Sequence, residues 1–166
     1  MKKSRALLCM LAFVFVTVCL ASAASAAMSA KKAEYFVDTT WLAANLDKVI
    51  VLDARSDKHY AVSHIPGAIH SMWTDWTDRS KGKQGDAGWN VTMEKSKLEA
   101  YVGSLGIDGN KPIVICGDPS GFAEDGRVMW ELRLVGVNDV RLLDGGFPAW
   151  KAAGKPVTAD APKVQP

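Results

Sequence analysis

The chain has 166 residues, 48% hydrophobic and 23% charged, with 20 basic residues against 18 acidic and a formal net charge of +2. So even a balance lacks the basic footprint of a nucleic-acid binder, and the length suits one domain rather than several. The small positive excess belongs to the start of the chain. Lys2, Lys3 and Arg5 form a basic head, Ala6 to Leu20 an apolar run of 15 residues, and Ala21-Ser22-Ala23 and Ala24-Ser25-Ala26 two small-residue cleavage sites. This order is that of an export signal over residues 1–27, and the run is shorter than the roughly 20 residues of a spanning helix. Its removal takes the 20 basic residues to 17 against 18 acidic, a formal net of −1. An exported, periplasmic protein with no membrane attachment after cleavage is therefore expected.

About 140 residues then remain, enough to bury around two thirds of the surface of an unfolded chain. Glu34 to Val37 reads as a short strand, and Asp38 as the N-cap of a helix over Thr39 to Leu46 with Trp41, Leu42 and Leu46 on one face. Val49 to Leu52 is a continuous apolar run that suits a central strand and ends at Asp53-Ala54-Arg55. Lys58 to Ser63 is expected to be a helical turn, and His64-Ile65-Pro66-Gly67-Ala68 leads into a third strand around Ile69. Trp73 to Trp89 reads as an exposed excursion, with Trp73, Trp76 and Trp89 either anchoring a long loop or lining a substrate mouth. Thr92 is expected to cap a helix whose positions Leu98, Tyr101, Val102 and Leu105 recur at helical spacing until Gly106 stops it.

Ile113, Val114 and Ile115 make a β-branched run of the kind a buried parallel strand uses, and Gly117, Pro119 and Gly121 stop it at once. Cys116 is thereby placed at a strand's carboxyl end, the edge at which open α/β sheets bind ligands. A helix starting directly after it would aim its N–H groups and positive dipole end at the thiol and lower its pKa. Cleavage would also remove Cys9 and Cys19, leaving Cys116 unpaired. In an oxidising compartment an unpaired thiol is either buried or used, so Cys116 is a candidate nucleophile. Strands alternating with helices predict an α/β fold with an open, mostly parallel sheet, and put Asp53 to Arg55 and Cys116 on one edge.

Five motifs in order carry a family resemblance: VLDAR at Val51 to Arg55, HIPGA at His64 to Ala68, the strand ending in Cys116, GRVMWELRLVG from Gly126 to Gly136, and LLDGGFPAW from Leu142 to Trp150. Together they resemble the rhodanese (sulfurtransferase) domain, spanning residues 34–155 with a flexible tail over 156–166. The resemblance implies helices on both faces of the sheet and no metal or organic cofactor. It implies that Cys116 takes sulfane sulfur from a small donor such as thiosulfate or mercaptopyruvate, holds it as a persulfide, and passes it to a thiophilic acceptor, a thiol protein included.

It further implies a persulfide-binding loop made of Gly117, Asp118, Ser120, Gly121 and Phe122, whose N–H groups would form an anion nest. Arg55, His59 and Arg127 are the remaining candidates for anion binding or bracing; His59 stands where some members place a substrate-contacting arginine, and Arg127 could pair with Glu124 or Asp118. Phe122 occupies the position that a Cys-x5-Arg phosphatase loop would need as arginine, which excludes that chemistry. The loop also departs from active members, which usually carry glycine where this chain has Pro119. Pro119 removes an N–H donor, and Asp118 sets a negative charge beside an anionic sulfur. Three functions are compatible with this pattern: an exported sulfurtransferase, a persulfide carrier loaded by a partner, and a non-catalytic rhodanese-like binding module.

Overall fold

A computed structural model of the chain describes residues 29, 32–160 and 162. The expected leader over 1–27, with Cys9 and Cys19, lies outside them. Residues 32–35 are helical, and the chain divides after Tyr35. The sheet and the helices packed on it belong to the unit that begins at Phe36.

Five strands build one sheet in the order β1-β7-β6-β2-β3, every neighbouring pair parallel. They are β1 (Phe36–Val37), β2 (Ile50–Asp53), β3 (Ile69–His70), β6 (Ile113–Cys116) and β7 (Val140–Leu143). β4 (Thr77–Asp78) and β5 (Val91–Thr92) form a separate antiparallel pair. Four helices connect them, α1 (Thr39–Ala43), α2 (Asp57–Val62), α3 (Lys95–Ser104) and α4 (Glu124–Leu134), and α5 (Gly146–Ala152) follows β7.

Side chains alternate across a strand, so one apolar run serves two cores. Leu52, Ile113, Ile115 and Val140 face a cluster completed by Leu98 and Val102 of α3 and Val128 and Leu132 of α4. Val51, Val114, Cys116 and Leu143 face a second cluster, with Leu42 of α1 and Phe147 and Trp150 of α5. Helices thus cover both faces, as the family resemblance implied. Each large apolar side chain buried this way contributes about 2 kcal/mol.

Several elements differ from the sequence reading. The first strand covers only Phe36–Val37, which pair with Leu142 and Leu143 of β7, because residues 34–35 continue the helical turn that begins before them. Asp38 does cap α1, accepting from the Trp41 amide at 2.7 Å, but the helix ends at Ala43. Thr92 is no helix cap: it pairs with Thr77 inside β5, and Glu94 caps α3 by accepting from the Ser96 amide at 3.0 Å. The excursion after Trp73 is exposed only in part. Residues 73–76 form a 3-10 turn that buries Trp76 completely, its Nε1–H donating to Ser71 Oγ at 2.9 Å and its ring edge-on to Tyr101. Trp76 therefore belongs to the core and lines no substrate mouth.

The expected tail is pinned where it starts. Trp150 Nε1–H donates to the Pro156 carbonyl at 2.7 Å, and Thr158 bridges His64 through reciprocal backbone bonds of 2.8 and 2.9 Å. Among the described residues no helix is long and apolar enough to cross a membrane.

Candidate functional site

The register of β2 and β6 sets Asp53 beside Cys116, both at the carboxyl edge of the sheet. The Ala54 amide donates to the Cys116 carbonyl, and the Phe147 amide to the Gly117 carbonyl, each at 2.9 Å. Cys116 and Gly117 are thus held by the start of the loop after β2 and by the first turn of α5. Its side chain is fully buried and unpaired.

Arg55 is committed to structure. Its Nε lies 2.9 Å from Asp53 Oδ1, one terminal nitrogen lies 2.6 Å from Asp53 Oδ2 and 2.8 Å from the Ser63 carbonyl, and the guanidinium stacks 3.6 Å above the Phe147 ring. Both partners are buried, and the fork geometry suits bidentate pairing. It braces the loops and has few donors left for a substrate.

The loop after Cys116 closes on itself. Asp118 Oδ1 accepts from the Ser120 amide at 2.9 Å and from its hydroxyl at 2.7 Å, and the Asp118 carbonyl accepts from the Gly121 amide at 2.9 Å. This Asx turn around Pro119 uses the N–H groups of Ser120 and Gly121, so the anion nest expected from Gly117 to Phe122 is already occupied in its middle. Phe122, at the loop's far end, is 98% exposed. Bonds from Ser120 hold the Asp118 carboxyl below its ordinary pKa, so it is negative beside the thiol.

No helix N-terminus lies directly behind the thiol. α4 starts only at Glu124, after Ala123 in a left-handed conformation with φ of 60°, and the Gly126 amide is taken by Asp125 Oδ1 at 2.8 Å. The Asp125 carboxylate also packs over Gly117: a Cβ on Gly117 would lie 2.5 Å from Asp125 Oδ2. Where a helix dipole was expected to lower the thiol pKa, burial pushes it well above its ordinary 9.0, reinforced by the charges of Asp53, Asp125 and Asp118 and opposed only by Arg55. The resting group is a thiol.

A cleft opens on this edge beside the buried thiol. One pocket of about 230 Å³ lies between Arg55, Ser56 and His59 and the loop residues Asp118, Ser120, Gly121 and Glu124. A second, of about 410 Å³, continues over Arg55, His59 and Asp118 to Val62, Phe147 and Lys151. The structure thus brings Cys116, Gly117, Asp118, Ser120, Gly121, Arg55 and His59 together. Arg127 stands apart: it pairs with neither Glu124 nor Asp118 but with Glu131 at 2.7 Å, its terminal nitrogen 3.4 Å from the Asn90 carbonyl. Sequence reasoning missed Asp125 and Lys151, which reach the site through packing. Gly146 entered it only as part of the LLDGGFPAW motif. Among the described residues no cluster of ligating side chains fits a metal ion.

Comparison with known proteins matches residues 38–153 to a family described as "Rhodanese-like domain". The chain is 31% identical over 132 residues to Thiosulfate/3-mercaptopyruvate sulfurtransferase 2 of Arabidopsis thaliana, covering 73% of this chain and 37% of that protein. It is 30% identical over 145 residues to the thiosulfate sulfurtransferase of Bos taurus, covering 78% and 47%. Among solved structures, the 3-mercaptopyruvate sulfurtransferase of Leishmania major aligns with a TM-score of 0.67 at 25% identity, over 80% of this chain and 38% of that one. The chain spans less than half the length of each of these relatives.

Proposed function

The chain belongs to the rhodanese-like family, and from that premise we propose that it is a sulfurtransferase of the rhodanese type that carries sulfane sulfur on Cys116. The observation that carries this reading is the position of Cys116, a thiol at the carboxyl end of central strand β6 beside the cleft over Arg55 and His59. In the first step the Cys116 thiol gives up its proton and its sulfur attacks the outer sulfur of a donor. A new S–S bond forms, the donor's own bond to that sulfur breaks, and the leaving group departs with the bonding pair, as sulfite when the donor is thiosulfate. In the second step a thiolate or cyanide takes the outer sulfur and returns Cys116 as thiolate.

The surroundings of Cys116 make the first step slow. The thiol must ionise against burial and three carboxylates, and the loop amides that would receive the extra sulfur are held by Asp118. Loading therefore requires the loop to release Asp118 from Ser120. The leader expected over Met1 to Ala27 adds the proposal that the protein is exported, and a thiol-bearing acceptor protein fits a site exposed on one edge. Incubation with thiosulfate followed by intact-mass analysis tests the reading: one added sulfur atom on the wild type and none on Cys116→Ser supports it.

The complete burial of Cys116 favours a second reading, a non-catalytic binding module in which the cysteine only fills the core. That reading takes the place of the first if neither thiosulfate nor mercaptopyruvate adds sulfur, and if Asp118→Lys does not restore loading.

A further inference from the structure

The geometry points to Lys151 as the residue that draws the anionic end of a sulfur compound into the cleft over Arg55 and His59, beside Cys116, an assignment that rests on the sulfur-carrying reading above. Lys151 lies on α5 one turn beyond Phe147, so both side chains share a helix face, and its Nζ lies 6.0 Å from the Phe147 ring centroid. It lines the pocket of about 410 Å³ together with Arg55, His59, Val62, Asp118 and Phe147.

The other permanent cation of that pocket is spent. Arg55 holds both oxygens of Asp53 and the Ser63 carbonyl and is only 7% exposed. Among the described residues no carboxylate forms an ion pair with Lys151, and its ammonium reaches solvent at the pocket's rim. Asp118, on the same wall, repels any anion that approaches the thiol. His59 and Arg55 already act on the Asp118 charge from the same pocket, and Lys151 adds a permanent ammonium that none of the described carboxylates holds and that can meet a sulfonate or carboxylate oxygen. The competing role is purely structural, a cation in the last turn of a helix and over an aromatic ring. That role predicts a change in stability and none in substrate affinity.

Two arms test the assignment. In the first, the rate of Cys116 loading is followed against the concentration of thiosulfate, and separately of mercaptopyruvate, at low ionic strength. Lys151→Gln is expected to raise the half-saturating concentration about three- to fivefold, the scale of one exposed ion pair, without changing the limiting rate. Lys151→Glu raises it further, and Lys151→Arg restores it. In the second arm, sulfite is titrated into Cys116→Ser protein by calorimetry, with and without Lys151→Gln, so that no chemistry is involved. Weaker sulfite binding in the double variant supports the assignment even if no donor loads Cys116, in which case the sulfur-carrying reading alone fails. Unchanged half-saturation in both Lys151→Gln and Lys151→Glu overturns it. So does sulfite binding that is absent, or equal with and without Lys151.

Discussion

Gly146 stands so close to Gly117 that a Cβ on it would clash with the Gly117 carbonyl oxygen and lie 3.1 Å from Pro119 Cδ. Gly146 also has φ of +58°, a conformation that side chains disfavour. The start of α5 thus presses on the residue next to Cys116 and leaves no room for a methyl group. Gly146→Ala should lower stability by about 2 kcal/mol or more, from strain and from displacing the Phe147–Gly117 hydrogen bond. Chemical denaturation checks this, with Gly126→Ala as control. Gly126 lies inside α4 with nothing within 4 Å of its added Cβ, so that change should stabilise by about 0.5–1 kcal/mol.

The Asp53–Arg55 pair is expected to be costly to break and of modest value intact. Removing Arg55 leaves Asp53, which is fully buried, without its counter-charge, so Arg55→Ala should cost about 3–5 kcal/mol. Replacing Asp53 and Arg55 together by apolar residues of similar size should recover part of that loss. The interaction term of the double-mutant cycle, measured by denaturant unfolding, is the readout. Additive losses would show that the two side chains act independently.

The raised pKa of Cys116 makes a signed prediction for alkaline pH. The unfolded chain loses the thiol proton near 9.0, while the folded protein keeps it, so the unfolded state binds fewer protons above that value. The contribution is fully present below pH 9.0 and is lost as pH rises towards the folded value. Tyr101, held up to about 12 mainly by burial, adds a similar loss only above its ordinary 10.0. Between those two onsets, Cys116→Ser should therefore flatten the fall of stability with pH. Thermal unfolding across the range reads it directly, and iodoacetamide should alkylate the native wild-type thiol only slowly near neutral pH.

Much of this fold can be read from the chain, because apolar runs such as Ile113 to Ile115 serve buried strands and their ends fall on one edge. Cys116 at the end of β6 and the turn around His64 belong to the same pattern. Thr92 misled because hydroxyl residues suit caps and strands alike, and its pairing with Thr77 is a contact between distant segments. The thiol's environment was illegible for a similar reason. Local sequence suggested a helix straight after Cys116, but Asp118 and Ser120 build a turn first, and Asp125 then reaches over Gly117. Lys151 and Gly146 come from α5, and their place beside the site depends on how α5 docks on the sheet.

Neutralising the carboxylates around Cys116 should raise its reactivity in a set order. Asp125 raises the thiol pKa more than Asp118 does, so Asp125→Asn should speed alkylation and sulfur loading more than Asp118→Asn. Both effects should shrink as salt rises. Alkylation rates followed over a pH series give the apparent thiol pKa of each variant. An unchanged value in Asp125→Asn would show that this carboxylate does not hold the thiol up and leave burial and Asp53 as the causes.

Whether sulfur comes to rest on Cys116 decides between the carrier and the inert module. Purified protein is incubated with thiosulfate and, separately, with mercaptopyruvate, and its intact mass and the peptide containing Cys116 are measured under non-reducing conditions. A sulfur-carrying Cys116 gives the gain of one sulfur atom on that peptide, slow in the wild type, faster in Asp125→Asn, absent in Cys116→Ser, and lost on addition of cyanide. Wild-type protein that gains no sulfur from either donor, with Asp125→Asn and Asp118→Lys equally inert, would contradict it.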